Sequence, residues 1–409
     1  MRIVHITAHL GGGVGKAHGA LCAQDGPDVE RHYLLLEPPR DTRYVDAIRA
    51  AGATVDVVQD AAHVQRRVAG ADIVQIEWWN HPRLYECLSR FDLPASRTIL
   101  WSHISGLFAP FIPAGLLTAP HRFLFTSPCS LDAPSVQALT PQDRARLGVI
   151  NSGFGFEAAR APDTGARDVA YLGTVDFSKL SPDFFAVVDR AGLDRPVSIW
   201  GAVDADSEVL ARAAAMERPD AVRFRGHADD PQAALRGVGL FLYLLQPHHF
   251  GTAENALIEA MSLGCVPLVF ANPAECAIVD HGRTGFIESS VDAAAERLRW
   301  MVEHPAELRA IARNAVEAVS VTHSARQSAD DFAALYRSLL RTEKRTLDYP
   351  ALLGTTPADW FLSTQGETVA TAQPGAARKG SLAHFLQCFP DDNALRDLAG
   401  ERLSSARTG

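Results

Sequence analysis

The stretch "HHFGTAENALIEAMSLGCVPLVF", residues 248–270, crowds His248, His249, Thr252, Glu254 and Asn255 around Gly251, just where an apolar helix and a buried strand are due to follow. A helix starting near Thr252 places Leu257, Ala260, Met261 and Gly264 at i, i+3, i+4 and i+7, which is one buried stripe. Glu259 then lies about 200° around the axis from Leu257, pointing away from that stripe, and shares its face with Asn255. The free N–H groups of a first helical turn, with roughly half a positive charge from the aligned peptide dipoles, attract anions. A phosphate suits such a place. The same residues also permit plain capping, with Thr252 as the cap, Glu254 complementing the dipole and Glu259 solvated.

Such a loop needs a scaffold, and the rest of the chain supplies one. At 409 residues, 47% hydrophobic and 21% charged, the chain exceeds what one core holds, so two domains are expected. A net charge of -9 disfavours nucleic acid or an anionic membrane as a general partner. The cysteines (Cys22, Cys87, Cys129, Cys265, Cys276, Cys388) form no C-x-x-C pair, so neither a zinc site nor a disulfide framework is suggested, and a reducing cytoplasmic setting fits. No apolar run approaches the roughly 20 residues of a membrane span, and "MRIVHITAHLGGG" is too short a run for a signal peptide.

Short β-branched or aromatic runs, "RIVHITA", "RHYLLLE", "ATVDVVQ", "ADIVQIEW", "RTILWSHI" and "RFLFTS", alternate with helix-length segments, which predicts βαβ units and a parallel sheet over residues 1–155. A polar Ala/Pro/Gly/Asp stretch at 156–168 reads as a linker. The rhythm restarts over 169–342 with "VAYLGTV", "VSIWGAV", "AVRFRGHA", "GLFLYLLQ" and "CVPLVFA", a second doubly wound sheet. Residues 343–409 form an extension with a helical segment, "SLAHFLQCFPDDNALRDL", whose Phe385, Leu386 and Phe389 edge calls for burial. Open parallel sheets bind ligands beyond the carboxyl ends of their strands, so two of them are expected to face each other across a cleft.

"ENALIEAMSLGCVPLVF" with "AECAIVDHGRTGFI" resembles the donor-binding region of the retaining GT-B glycosyltransferases of family 4. Glu259, Ala260, Met261, Gly264, Pro267, Glu275, Gly282, Thr284 and Gly285 carry the match. "VAYLGTVDFSK" resembles the loop with the diphosphate-binding basic pair, and "VRFRGHADD", with Gly226, the base-recognition strand. The resemblance implies a GT-B fold of two Rossmann-like domains. It also implies a nucleoside diphosphate sugar as donor, a glycan, lipid-linked or protein acceptor, and neither cofactor nor metal. Glu259 would hydrogen-bond the donor ribose, with His249, Gly251, Thr252, Ala253, Glu254, Asn255 and Ala256 around the donor.

Two departures stand out. The first glutamate of the family's Glu-x7-Glu pair would fall on Gly251 by spacing, or on His248 if Phe250-Gly251 is aligned, and Glu254 lies about 140° from Glu259 on a helical wheel, so it is not expected to substitute. The family's R-x4-K pair becomes Thr174 and Lys179, leaving one cation for the diphosphate. An epimerase-type GT-B enzyme that transfers no sugar, or a sugar-nucleotide-binding protein without catalysis, are the alternatives.

In the first half, "HLGGGVGKAHG" is neither a Walker loop nor G-x-G-x-x-G; it reads as a flexible Gly11–Gly15 turn. Its Gly12 and Gly13 would face acceptor and donor if the resemblance holds, and a purely structural turn is the other reading. His103 follows a strand, where the resemblance implies a cleft histidine near the donor sugar; with Lys179 and Glu259 it is a catalytic candidate, and with Glu77 and His81 an acceptor-side one. Asp204 and Asp206 form an Asp-x-Asp, but so short a pattern is common by chance and no metal is expected there.

Overall fold

The computed structural model describes residues 1–153, 168–249, 251–366 and 379–405, which divide into two units. The first comprises residues 1–153, 251–253 and 328 onward; the second comprises 168–249 and 254–327. The boundary placed at 342 from sequence therefore moves back to 327. The expected linker, apart from Asp168, lies outside the described residues.

The first unit is built on seven parallel strands in the order β3-β2-β1-β4-β5-β6-β7. They are β1 Arg2–Thr7, β2 Glu30–Leu35, β3 Thr54–Val57, β4 Ile73–Trp78, β5 Thr98–Ser102, β6 Arg122–Phe125 and β7 Leu147–Val149. Helical crossovers cover both faces, and β1, β2, β4 and β5 are accordingly buried almost end to end. The strand order reverses between β1 and β4, the switch point where loops diverge and leave a ligand crevice.

The glycine run after β1 is not a loop. Gly12–Cys22 is helical, with Gly12 at φ +59°, and Gly15 is demanded by packing, since a Cβ there would stand 1.9 Å from the Leu10 carbonyl oxygen.

The extension docks on this unit. The helices Tyr349–Leu353, Pro357–Leu362 and Leu382–Cys388 pack on the helix Pro82–Arg90, with Tyr85 against Trp360 and Phe385. Phe385 is fully buried, and burying a phenyl side chain stabilises by about 1.5–3 kcal/mol. Leu386 and Phe389 are partly buried against the same core.

The second unit has six parallel strands in the order β10-β9-β8-β11-β12-β13. They are β8 Asp168–Leu172, β9 Val197–Trp200, β10 Val222–Gly226, β11 Val238–Tyr243, β12 Val266–Phe270 and β13 Phe286–Glu288, and the order reverses between β8 and β11.

The helix of the opening stretch runs Asn255–Ser262, three residues later than its spacing suggested. The residues of the expected stripe, Leu257, Ala260 and Met261, are buried, but so are Ile258, Glu259 and Ser262. It ends because Gly264 takes φ +81° and lets Gly264 N–H reach the Met261 carbonyl and Cys265 N–H the Ala260 carbonyl, a Schellman closure. Pro267 and Gly285 are packing partners: a Cβ on Gly285 would stand 2.5 Å from Pro267 Cγ.

Candidate functional site

At the β8/β11 switch point of the second unit, the loops after β8, β11 and β12 deliver one charged cluster. Lys179 Nζ lies 2.9 Å from Glu254 Oε2, and the Tyr243 hydroxyl donates to the same oxygen at 2.6 Å. Glu254 is buried, at φ +39°, a left-handed conformation that costs a residue with a Cβ about 1 kcal/mol or more. Its Oε1 has no hydrogen-bond partner among the described residues, and His249 Nδ1 stands off at 3.7 Å. Burial pushes the Glu254 carboxyl up, but the Lys179 ammonium, His249 and the tyrosine hydroxyl outweigh it and hold it below the usual carboxylate range.

His249 Nε2 in turn meets Glu275 Oε2 at 3.2 Å, and Asn272 Nδ2 donates to Glu275 Oε1 at 3.0 Å. The side chain of Glu254, the residue at the N-cap, does not cap the Asn255–Ser262 helix, so its leading N–H groups keep the anion-binding character read from the sequence.

Three expectations change here. Thr252 is not the cap; it is buried, accepts from Thr126 Oγ1 at 3.4 Å, and belongs with Gly251 and Ala253 to the first unit. Glu254 precedes the helix rather than riding on it, so the wheel angle that set it apart does not apply, and it is Glu254 that meets Lys179. Glu259 is buried at 3% exposure instead of solvated, because residues 257–262 are buried all round the helix.

Thr174 is exposed, and its carbonyl accepts from the Tyr171 hydroxyl at 2.7 Å. Gly226 ends the edge strand β10, two strands from the switch point. Asp204 and Asp206 are exposed ahead of the helix Glu208–Ala214.

In the first unit the β1/β4 switch point holds a polar cluster sealed from solvent. Glu77 is fully buried; its Oε1 meets His5 Nδ1 at 2.9 Å and Gln75 Nε2 at 3.0 Å, and its Oε2 meets His103 Nε2 at 3.0 Å. His18 Nε2 lies 3.1 Å from that second oxygen without the alignment of a hydrogen bond. Burial opposes ionisation of Glu77, yet His18, His103 and His5 together win and hold it well below the carboxylate range. Burial likewise lowers His5 to about 3 and lowers His103, in each case overcoming the attraction of Glu77.

Glu77, expected on the acceptor side, is thus out of reach of any acceptor; it touches His103 instead. His81 sits apart as the cap of the helix Pro82–Arg90, with its Nε2 3.4 Å from Glu37 and its ring against Trp79 and His384. Beside it a depression of about 530 Å³ is lined by Glu37, Arg40, Asp60 and Arg83. Gly12 and Gly13 are exposed in the first helical turn.

His5, His18 and Glu77 bring three candidate metal-ligand atoms within 4.8 Å of one another. The chemistry argues against a metal. Arg31 Nη1, which can only donate, lies 3.0 Å from His5 Nε2, so the neutral ring carries its proton on Nδ1 and points that N–H, not a lone pair, at Glu77.

His5, His18, Arg31, Tyr33 and Tyr336 belong to this cluster although no motif marks them in the sequence. The available signal was register: Tyr33, His5 and Gln75 are sheet partners in otherwise apolar strands, with Glu77 two residues beyond Gln75 on the same face.

Residues 179–318 match the family model described as Glycosyl transferases group 1. No curated protein sequence matches the chain. Among solved structures, Anabaena Alr3699/HepE in complex with UDP and glucose is 15% identical, with a TM-score of 0.66 over 83% of this chain and 100% of that one. A glycosyltransferase from Rickettsia africae is 11% identical with a TM-score of 0.66, covering 83% of this chain and 99% of that one. Sucrose-phosphate synthase from Thermosynechococcus elongatus is 15% identical with a TM-score of 0.61, covering 83% and 99%. The two parallel-sheet α/β units are the GT-B fold, and the segment that matches the group 1 model lies in the second. Among the described residues no helix is long and apolar enough to cross a membrane.

Proposed function

We propose that the protein is a retaining, metal-independent glycosyltransferase that moves a sugar from a nucleoside diphosphate sugar to a glycan, lipid-linked or protein acceptor. The observation that carries this reading is the Lys179–Glu254 pair at the head of an uncapped helix, at a sheet switch point, inside the segment that matches group 1 glycosyl transferases. The UDP and glucose held by the Anabaena neighbour support the choice of donor class.

In the reaction the bond between the anomeric carbon and the diphosphate oxygen breaks, and the acceptor oxygen bonds to that carbon on the same face. The acceptor's hydroxyl proton passes to the departing phosphate. Charge grows on the diphosphate as it leaves, and Lys179 and the helix N–H groups stabilise it most at that moment, which lowers the barrier. Glu259 holds the donor ribose. The loops beyond β1, β4 and β5, with Gly12, His81 and His103, serve the acceptor.

A panel of nucleotide sugars tested by thermal shift, then by release of nucleoside diphosphate, decides the matter. A ligand at 100 times its Kd adds about 2.7 kcal/mol to stability, well within detection. A protein that none of the panel stabilises, and that releases no nucleoside diphosphate with any acceptor extract, is not such a transferase.

A further inference from the structure

The sealed cluster around Glu77 has a polarity that can be read donor by donor. Arg31 is fixed by Asp25, through Nε to Oδ2 at 2.6 Å and Nη2 to Oδ1 at 2.9 Å. Its remaining Nη1 donates to His5 Nε2 at 3.0 Å and to the Tyr336 hydroxyl at 3.1 Å. That hydroxyl, having accepted, donates to Gln75 Oε1 at 2.6 Å, so the Gln75 amide nitrogen turns toward Glu77. His5, having accepted on Nε2, donates from Nδ1 to the same carboxylate oxygen. Two routes from one guanidinium therefore end as two N–H groups on Glu77 Oε1, which marks Glu77 as an acceptor at that oxygen.

The other carboxylate oxygen faces His103 Nε2 at 3.0 Å, with His18 Nε2 3.1 Å away but off the line of a hydrogen bond. An ionised carboxylate can only accept, so the His103 proton sits on Nε2. His103 Nδ1 forms no hydrogen bond with a described residue, and the side chain keeps 8% of its surface exposed. We propose that Glu77 is a positioning residue that fixes the tautomer of His103, leaving Nδ1 as a bare acceptor for an O–H or N–H of the substrate rather than a donor to a phosphate oxygen. In the glycosyltransferase reading, on which this rests for its substrate, that group is a sugar hydroxyl. The fixed tautomer itself does not depend on the donor.

Glu77→Gln inverts the arrangement by a defined route. The amide oxygen must stay where Oε1 was, because His5 and Gln75 both present N–H groups there. The amide nitrogen then faces His103 Nε2 and forces it to accept, moving the proton to Nδ1. Replacing an orienting carboxylate by an amide in this way costs about 10⁴ in kcat where the histidine is the general base. Here the ring only receives a hydrogen bond, and the expected loss is about 10- to 100-fold in kcat/KM.

The test is long-range 1H–15N spectroscopy of the full chain with 15N-labelled histidine, His103 being assigned by comparison with His103→Asn. The expected result is a protonated Nε2 and a bare Nδ1 in the wild type, exchanged in Glu77→Gln. Kinetics add a second readout: Glu77→Gln and His103→Asn should cost kcat/KM similarly, and the double variant little more than either alone. A wild-type His103 protonated on Nδ1 overturns the proposal, as do unchanged ring signals in Glu77→Gln or additive kinetic losses. Should Glu77→Gln fail to fold, the wild-type spectrum still decides. Because that spectrum needs no donor, its failure is separate from failure to find a nucleotide sugar that turns over.

Discussion

Two buried glutamates, one at the switch point of each sheet, face opposite situations. Glu77 accepts from His5, Gln75 and His103, and the pattern is locked by an arginine further back. Glu254 pairs with a lysine whose side chain is 22% exposed, accepts one tyrosine hydroxyl, and has one oxygen without a hydrogen-bond partner among the described residues, His249 Nδ1 standing 3.7 Å from it. A buried carboxylate is tolerated only when its desolvation is repaid. Glu77 is repaid inside the protein and so serves as scaffold. Glu254 is repaid only in part, and a ligand that draws on Lys179 or supplies a donor to the open oxygen changes its energy directly.

The sharpest break would come from Lys179→Ala. With the cation removed, release of nucleoside diphosphate should fall by about 10²–10³ in kcat, as for loss of one preorganised donor to a developing anion. Donor affinity, read by calorimetry, should change less, because the charge on the leaving group is larger in the transition state than in the bound ground state. Equal losses in both would make Lys179 a binding residue only.

Glu254→Gln separates the two glutamates next. It removes a negative charge beside the anion site, so free nucleoside diphosphate should bind about 3- to 10-fold more tightly, an ordinary yield for one charge at partly screened distance. Glu77→Gln should leave that affinity unchanged. A Glu254→Gln protein with unaltered or weaker diphosphate binding would mean that Lys179 needs its carboxylate partner to stand in place.

The smallest effect is in acid. His5 is lowered to about 3, and His9 and His384 to about 4, by burial in the first unit; His323, at about 4, is the corresponding group in the second. Each is neutral when folded and takes up a proton on unfolding below about pH 6.5, so the unfolded chain binds more protons and stability falls as pH drops from 6.5 toward 4. Glu254, held below its ordinary 4.5, contributes stability that is lost only under that value. Hydrogen-exchange protection, taken relative to the intrinsic rate at each pH, should therefore fall more between pH 7 and pH 5.5 in β1 and β4 than in β8 and β11. An equal fall in protection would remove the contrast.

How much of this was legible beforehand follows from what sets each feature. Alternating apolar runs and helix-length segments give both sheets, because burial on two faces is written into each strand separately. The stripe of Leu257, Ala260 and Met261 was likewise readable. The helix start was not: Glu254 adopts φ +39°, which no periodicity encodes, and a shift of three residues moved Glu254 off the helix and onto Lys179. Glu77 was singled out for a place on the acceptor side, but its burial depends on His18 from a glycine-rich segment and on Tyr336 from the far end of the chain. Such partners become visible only once the topology brings them together.

The first unit is assembled from both ends of the chain, with residues 328 onward closing over strands laid down in the first 153. During synthesis the ribosome delivers that sheet early, yet Tyr336, which completes the Glu77 cluster, and Trp360 and Phe385, which cover the Pro82–Arg90 helix, arrive only after the second unit has been made. The second unit, contiguous but for 250–253, can fold while the first waits with Tyr85 and its neighbours uncovered. At a typical 5–20 residues per second, the roughly 200 residues between them amount to a wait of about 10–40 s. A stalled or truncated chain would thus carry a finished second unit and an unfinished first, exposing an apolar surface of the kind that chaperones and proteases recognise.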